Sequence, residues 1–163
     1  GLLWVLKSRV FPDRSWEQDC SFAYGLAIWG GLSLYWIAPW LIVHRAVAVP
    51  AAFAAGCVAL YSAGVFLHFA ADMQKHTALR LRPGELITDG LFARCRNPNY
   101  LGELFIYVGF GALAMHWAPF AVLALWLTVV WFPNMRHKDR SLARYPEFAN
   151  WRQRSWLFLP PLV

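Results

Sequence analysis

Arg94-Cys95-Arg96-Asn97-Pro98-Asn99-Tyr100-Leu101-Gly102-Glu103 runs straight into Leu104 to Met135, a stretch without a single Asp, Glu, Lys or Arg. A carboxylate at the head of an apolar segment of membrane length is costly unless something pairs with it, so Glu103 is a functional candidate from the outset. Its partner has to come from elsewhere in the chain.

The composition around this stretch is that of a membrane protein. Of 163 residues, 59% are hydrophobic and 17% aromatic, with ten Trp and a mean hydropathy of +0.39. Soluble domains average about 45–50% apolar. The length suits one domain, read here as a single membrane domain over residues 1–163. The expected class is all-α, an integral membrane bundle of about four transmembrane helices followed by an amphipathic helix. Cys20, Cys57 and Cys95 are odd in number and far apart, with no C-x-x-C, so neither a metal site nor a disulfide framework is signalled. Gly1 is preceded by no initiator Met and by no cleavage-site pattern, and reads as a cut inside a longer chain, of which this is the C-terminal part.

Three apolar runs place the helices. Cys20 to Val43 carries no formal charge, and Ala46 to Ala71 has only His68 as a titrating group. Each exceeds the ~20 residues that span a hydrocarbon core. Leu104 to Met135 is too long for one ordinary span, and Pro119 beside His116-Trp117 interrupts it, since proline donates no helical N–H. Two short helices are expected, about 99–115 and 119–134, joined by a tight turn. Pro39 is placed to kink the end of the first span or to lie in the connection after it. Gly30, Gly31, Gly56, Gly64, Gly109 and Gly111 fall within spans, where small residues admit close helix contact.

Charge orients the bundle. Lys7, Arg9 and Arg14 precede the first span, and Lys75, Arg80, Arg82, Arg94 and Arg96 follow the second. Arg136, Lys138, Arg140, Arg144, Arg152 and Arg154 follow the fourth, and only Arg45 sits in the opposite loops. The positive-inside rule puts the N-terminus, the 73–98 loop and the C-terminus in the cytoplasm. The net charge of +6 is thus mostly topology and anionic headgroups, and nothing resembles a soluble basic module for nucleic acid. Within the loop, Arg82-Pro83-Gly84-Glu85 predicts a type II turn, and Thr88-Asp89-Gly90 a second turn. Pro98 suits the first turn of the next helix, which leaves Asn97 as its N-cap.

Three polar faces then share one depth. His68, Asp72 and Lys75 stack on the second helix. Asn99 and Glu103 stack on the third, with Arg96 about a turn earlier. Arg136, His137 and Arg140 open an amphipathic segment, Met135 to Trp151. Each face also has a plain structural reading: a surface ion pair for Asp72 and Lys75, a satisfied helix residue for His68, and a surface-lying helix for the tail with Tyr145, Phe148, Trp151 and Trp156 in the interface.

His68-Phe69-Ala70-Ala71-Asp72-Met73-Gln74-Lys75, Arg82-Pro83-Gly84-Glu85, Gly90-Leu91-Phe92 and Asn97-Pro98-Asn99-Tyr100-Leu101-Gly102-Glu103 together resemble the motifs of the steroid 5α-reductase-like membrane proteins. The combination is closest to that superfamily's DUF1295 branch. The tail, Leu142-Ala143-Arg144-Tyr145-Pro146-Glu147-Phe148 to Pro160, also resembles isoprenylcysteine carboxyl methyltransferases and sterol C14-reductases. The resemblance covers about residues 60–161. It departs at Asp139, where the pattern has Glu, and residues 1–60 match no known motif.

The resemblance implies a helical membrane enzyme with a cofactor pocket open to the cytoplasm. In the reductase branch the cofactor is NADPH, used to reduce an activated C=C bond in an apolar steroid- or lipid-like substrate. By matching positions, Asp72, Asn99 and Glu103 would hold the nicotinamide and ribose end, with Lys75, Arg96 and Tyr100 beside them. Arg80 or Arg82 would meet phosphate, and Arg136, His137 and Tyr145 would come from the tail. No G-x-G-x-x-G follows a strand, so helix ends and side chains have to build any nucleotide site. Tyr24, Tyr35, Tyr61 and Tyr107 are the candidate proton donors. The first alternative is a methyltransferase using S-adenosylmethionine, which has no phosphate and needs fewer cations. Its expected signature is R-H-P-x-Y without paired Asn and Glu. The second alternative is a non-catalytic lipid-binding module, which would leave the polar faces scattered in space.

Overall fold

A computed structural model describes residues 2–11 and 19–159. Arg14 and Pro160 lie outside the described residues. Eight α-helices follow in order: α1 (Leu2–Val10), α2 (Phe22–Ser33), α3 (Ile37–His44), α4 (Ala51–Leu81), α5 (Pro98–Ala112), α6 (Ala118–Trp126), α7 (Phe132–Leu142) and α8 (Phe148–Arg154). The chain is an all-helical membrane-type fold. Among the described residues, three helical stretches are long and apolar enough to cross a bilayer: Phe22–His44, Ala51–Leu81 and Ala118–Leu142.

Two of these stretches depart from a plain rod for a reason legible in their sequence. Pro39 has no N–H for the Tyr35 carbonyl four residues back, and a 3₁₀ turn at Leu34–Trp36 links α2 to α3 just before it. Pro133 does the same to the Val129 carbonyl, and a π turn at Leu127–Trp131 lies between α6 and α7. The 31 residues of α4 make a rod of about 46 Å at ~1.5 Å per residue, well beyond a ~30 Å hydrocarbon core. Its charged end, Asp72 to Leu81, therefore continues past the apolar run that announces it.

The long apolar run Leu104 to Met135 does divide at Pro119. The hairpin turn at residues 113–117 carries Met115 at φ +47°, and the His116 Nδ1 accepts from the Ala118 N–H at 3.1 Å. With 15 residues, α5 is short, as expected of the helices that divide this run. One expectation changes here. The helix after the turn does not stop near 134 but runs on through the π turn to Leu142, so the expected amphipathic helix over 136–153 is not one helix. Its first part belongs to the third long stretch, residues 143–147 turn at Pro146, and α8 is a separate seven-residue helix.

The α4–α5 pair is the spine of the molecule, and glycine makes it close. A Cβ on Gly102 would stand 2.5 Å from the His68 backbone nitrogen, one on Gly64 2.6 Å from the Gly102 carbonyl oxygen, and one on Gly109 2.8 Å from the Cys57 carbonyl oxygen. The two backbones touch at three levels, which larger residues would forbid. Gly30 and Gly56 make no such contact. Leu101, Leu123, Trp131, Met135 and Phe158 fill the space between α5 and the third long stretch. A second cluster, Ala71, Phe92, Phe148 and Trp151, seats the loop and the tail on the end of α4.

Candidate functional site

The charged end of α4 packs against the start of α5, and four ionisable side chains meet there. His68 is 2% exposed. Its Nδ1 lies 3.3 Å from the backbone carbonyl of Asn99 and 3.6 Å from Glu103 Oε1. Its Nε2 lies 3.2 Å from Lys7 Nζ and 3.5 Å from Asp72 Oδ2. Lys7 also forms a close ion pair with Asp72. Spacing of i, i+4 puts His68 and Asp72 on one α4 face, and Asn99 and Glu103 on one α5 face. The absence of a side chain at Gly102 lets these faces meet.

A carbonyl can only accept, so Nδ1 of His68 carries the proton. The ring is neutral, because a second proton on Nε2 would face the Lys7 ammonium. Nε2 thus accepts from Lys7. The centre holds two carboxylates, one neutral imidazole and one ammonium. Trp4 flanks it, with its ring centroid 5.3 Å from that of His68.

Deeper in the bundle, Tyr107 follows Glu103 by one turn. Tyr35 stacks on it with centroids 4.3 Å apart and planes at 10°. Trp126 and Trp131 extend this aromatic layer. Of the four candidate proton donors, Tyr35 and Tyr107 therefore sit next to Glu103, Tyr61 lies one layer further along against Gly109, and Tyr24 is exposed.

The remaining candidates have other occupations. Arg96 is buried. Its Nε donates to both Asp139 carboxylate oxygens at 3.1 and 3.2 Å, and its Nη1 donates to the Ser155 carbonyl at 2.5 Å and the Ser155 hydroxyl at 3.2 Å. Asn97 stands at the start of α5, with Pro98 in the first turn as expected, but its side chain caps nothing. Its Nδ2 donates to the Leu157 carbonyl at 2.7 Å and its Oδ1 accepts from Lys138 at 3.1 Å. Cys95 donates to the Phe158 carbonyl, and burial pushes its thiol above the usual range. With Arg96 N–H on Trp156 O and Trp156 N–H on Arg94 O, both 2.8 Å, residues 94–97 and 155–158 form a latch.

Arg82 closes the predicted type II turn, with Gly84 at φ +86° and Glu85 N–H on the Arg82 carbonyl at 3.3 Å. Its guanidinium pairs with Asp89 at 2.9 Å. Arg80, Arg136 and His137 are exposed, and the inward positions of α7 belong instead to Met135, Lys138 and Asp139. Lys75 is half-buried one turn beyond Asp72. Tyr100 packs on Trp131. Tyr145 packs on the loop-and-tail cluster and lines an open groove of about 690 Å³ with Arg144, Phe148 and Arg152. Of the residues proposed from sequence, the fold gathers Asp72, Asn99 and Glu103. It places Arg82 and Arg96 in ion pairs of their own.

Sequence reasoning overlooked three contributors. Lys7 read as a topology charge, because nothing in α1 announces that it folds back onto α4. Lys138 and Asp139 were passed over for Arg136 and His137. The π turn before α7 changes which side of that helix faces inward, and no charge pattern reports it.

The chain matches the family DUF1295, described as proteins of unknown function, over residues 18–154. Among curated proteins it is 38% identical over 78 residues to the cobalt-zinc-cadmium resistance protein CzcN of Cupriavidus metallidurans, covering 47% of this chain and 36% of that one. It is 34% identical over 79 residues to the nickel-cobalt-cadmium resistance protein NccN of Alcaligenes xylosoxydans xylosoxydans, covering 48% and 37%. The match thus spans little more than a third of either relative's length. No solved structure matches the chain. With most of its length inside the family's bounds, and with the Asp72, Asn99 and Glu103 positions of the motif gathered at one centre, the chain belongs to the DUF1295 family.

Proposed function

We propose that the protein is a membrane methyltransferase that uses S-adenosylmethionine on a lipid-like substrate. One observation carries this reading: two carboxylates, Asp72 and Glu103, flank the neutral His68, with Lys7 paired to Asp72, while Arg82 and Arg96 are held by Asp89 and Asp139. A dinucleotide brings several phosphate charges and calls for several cations. S-adenosylmethionine brings a sulfonium and an ammonium, which suit a centre richer in acceptors than in donors. The ranking drawn from sequence, with NADPH first, is reversed on this ground.

When bound, S-adenosylmethionine supplies an electrophilic methyl group. The chain's own part is to bind and orient. Asp72 and Glu103 receive positive charge or hydroxyl donors, and Gly102 keeps them close. The Tyr35–Tyr107 layer offers the substrate an apolar wall with two hydroxyls. With Lys7, Arg9, Lys75, Arg80 and Arg82 at this end and Arg45 at the other, the site is proposed to open to the cytoplasm. The names of the two relatives concern metal resistance. The corresponding role proposed for this chain is membrane modification under metal stress, checked by the metal tolerance of a deletion strain.

NADPH-dependent reduction is the second reading, favoured by Asn99 and Glu103 sharing the α5 face that the reductase motif implies. Calorimetric titration of the full natural chain in detergent separates the two. Binding of S-adenosylmethionine without NADPH is expected. Binding of NADPH alone overturns the proposal, and binding of neither favours a non-catalytic lipid-binding module.

A further inference from the structure

Every group that faces the Lys7 ammonium is an acceptor. Asp72 pairs with it, and His68 offers Nε2 because Nδ1 donates to the Asn99 carbonyl. Lys7 is itself 17% exposed and Asp72 13%. The lysine comes from α1, which touches the rest of the molecule along one face. Trp4 meets His68 and Phe69, Lys7 meets His68 and Asp72, and Phe11 beyond the helix end meets His76. Residues 4, 7 and 11 share one side of a helix. Val5, Leu6 and Val10 on the other sides are more than half exposed. The helix is thus a strap laid along α4 from His68 to His76, fastened among the described residues by three ring contacts and one ammonium.

We propose that Lys7 fills the seat of a ligand's own positively charged group, and that α1 swings off α4 to admit it. The inference rests on the preceding reading for the ligand's identity, S-adenosylmethionine, but not for the strap. The ligand's ammonium or sulfonium would replace the Lys7 contacts with Asp72 and His68 Nε2, so the free site keeps its carboxylates paired and the loaded site keeps them paired again. An anionic ligand gains nothing from this seat. It would leave Lys7 in place and approach two carboxylates.

Two measurements on the full natural chain in detergent test this. In the first, S-adenosylmethionine affinity is compared for wild type, Lys7→Gln and Lys7→Arg. If the strap is closed in roughly nine molecules of ten, removing the competitor raises affinity about tenfold. Lys7→Arg, which keeps the charge, should stay near wild type and shows that the α1 position tolerates substitution. A fall in affinity for Lys7→Gln would make Lys7 a ligand-binding residue and overturn the proposal. In the second, spin labels at Ser8→Cys and Thr77→Cys, both at exposed positions, report the α1–α4 distance in a background without the native cysteines. The distribution should lengthen in Lys7→Gln without any ligand, and in wild type on saturation with S-adenosylmethionine. If no variant binds S-adenosylmethionine but Lys7→Gln still lengthens the distance, the methyltransferase reading fails and the strap stands. An unchanged distance in Lys7→Gln overturns the strap.

Discussion

Two polar clusters begin within a few residues of each other and have opposite characters. In the latch, Arg96 donates four hydrogen bonds to Asp139 and Ser155, Lys138 donates to the Arg96 carbonyl and Asn97 Oδ1, and Asn97 donates to Leu157. Acceptors and donors match, and the distances are those of made bonds. In the α4–α5 centre, Glu103 reaches His68 only at 3.6 Å, Asp72 reaches it at 3.5 Å, and Lys7 pairs with Asp72. A fully satisfied network holds a structure together, whereas a loosely satisfied one retains capacity for a ligand. The difference sorts the motif: Arg96 and Asn97 belong to the latch, whereas the Asn99 carbonyl and the Glu103 carboxylate face His68 in the proposed site.

The largest effect should therefore come from the latch. Arg96→Ala leaves the Asp139 carboxylate and the Ser155 carbonyl without their partner, which should cost about 3–5 kcal/mol. Melting temperature in detergent checks it, and Arg96→Lys should not rescue, since a point charge cannot reproduce the forked contacts. A variant of normal stability that lost ligand binding would break the comparison and return Arg96 to the site.

Next comes the contact between α4 and α5. Gly102→Ala forces a methyl group against the His68 backbone, and overpacking of this kind costs roughly 1–3 kcal/mol. Gly56→Ala, with open space around it, should be neutral in the same melt. Equal effects at both glycines would remove the close α4–α5 approach from the account.

Glu103→Gln tests the other side. Stability should hardly change, while S-adenosylmethionine affinity falls about tenfold or more, because a hydrogen bond to a charged group is worth roughly 1.5–3 kcal/mol. Loss of fold in place of loss of binding would make this cluster structural too. The smallest effect belongs to Arg82→Ala. Its pair with Asp89 is about half exposed on both sides, so the expected loss is about 0.2–1 kcal/mol, shrinking as salt rises. A marked loss of NADPH binding in this variant would instead restore the dinucleotide reading.

The sequence made the helices easy to read, because apolar length and proline position decide them almost alone. Pro119 marked the hairpin, Pro83-Gly84 the turn, and Pro98 the start of α5. The continuation of α7 through Met135 into charged residues was hidden, since a change from apolar to basic looks the same whether a helix ends or emerges from the membrane. The site was legible where spacing along one helix sufficed, as for Asp72 with His68 and Glu103 with Asn99. It was illegible where the partner lay far along the chain. Nothing near Lys7 points to Asp72, and nothing near Arg96 points to Asp139 or Ser155. Arg82 and Arg96, which the motif offers as cations, are paired instead with Asp89 and Asp139.

The latch also has a timetable. Asn97 finds its partner in Leu157, 60 positions later in the chain. At the ~5–20 residues per second of synthesis, Arg96 and Asn97 wait about 3–12 seconds for that tail to be made. The third long helix is made during the wait. Until then the Arg96 guanidinium lacks its Ser155 acceptors and has Asp139 alone to pair with once α7 is made. The segment around Ser155 is thus the one that completes the arginine's cover, and a chain stopped short of it would present the Arg96 guanidinium without its Ser155 acceptors to the cell's quality control.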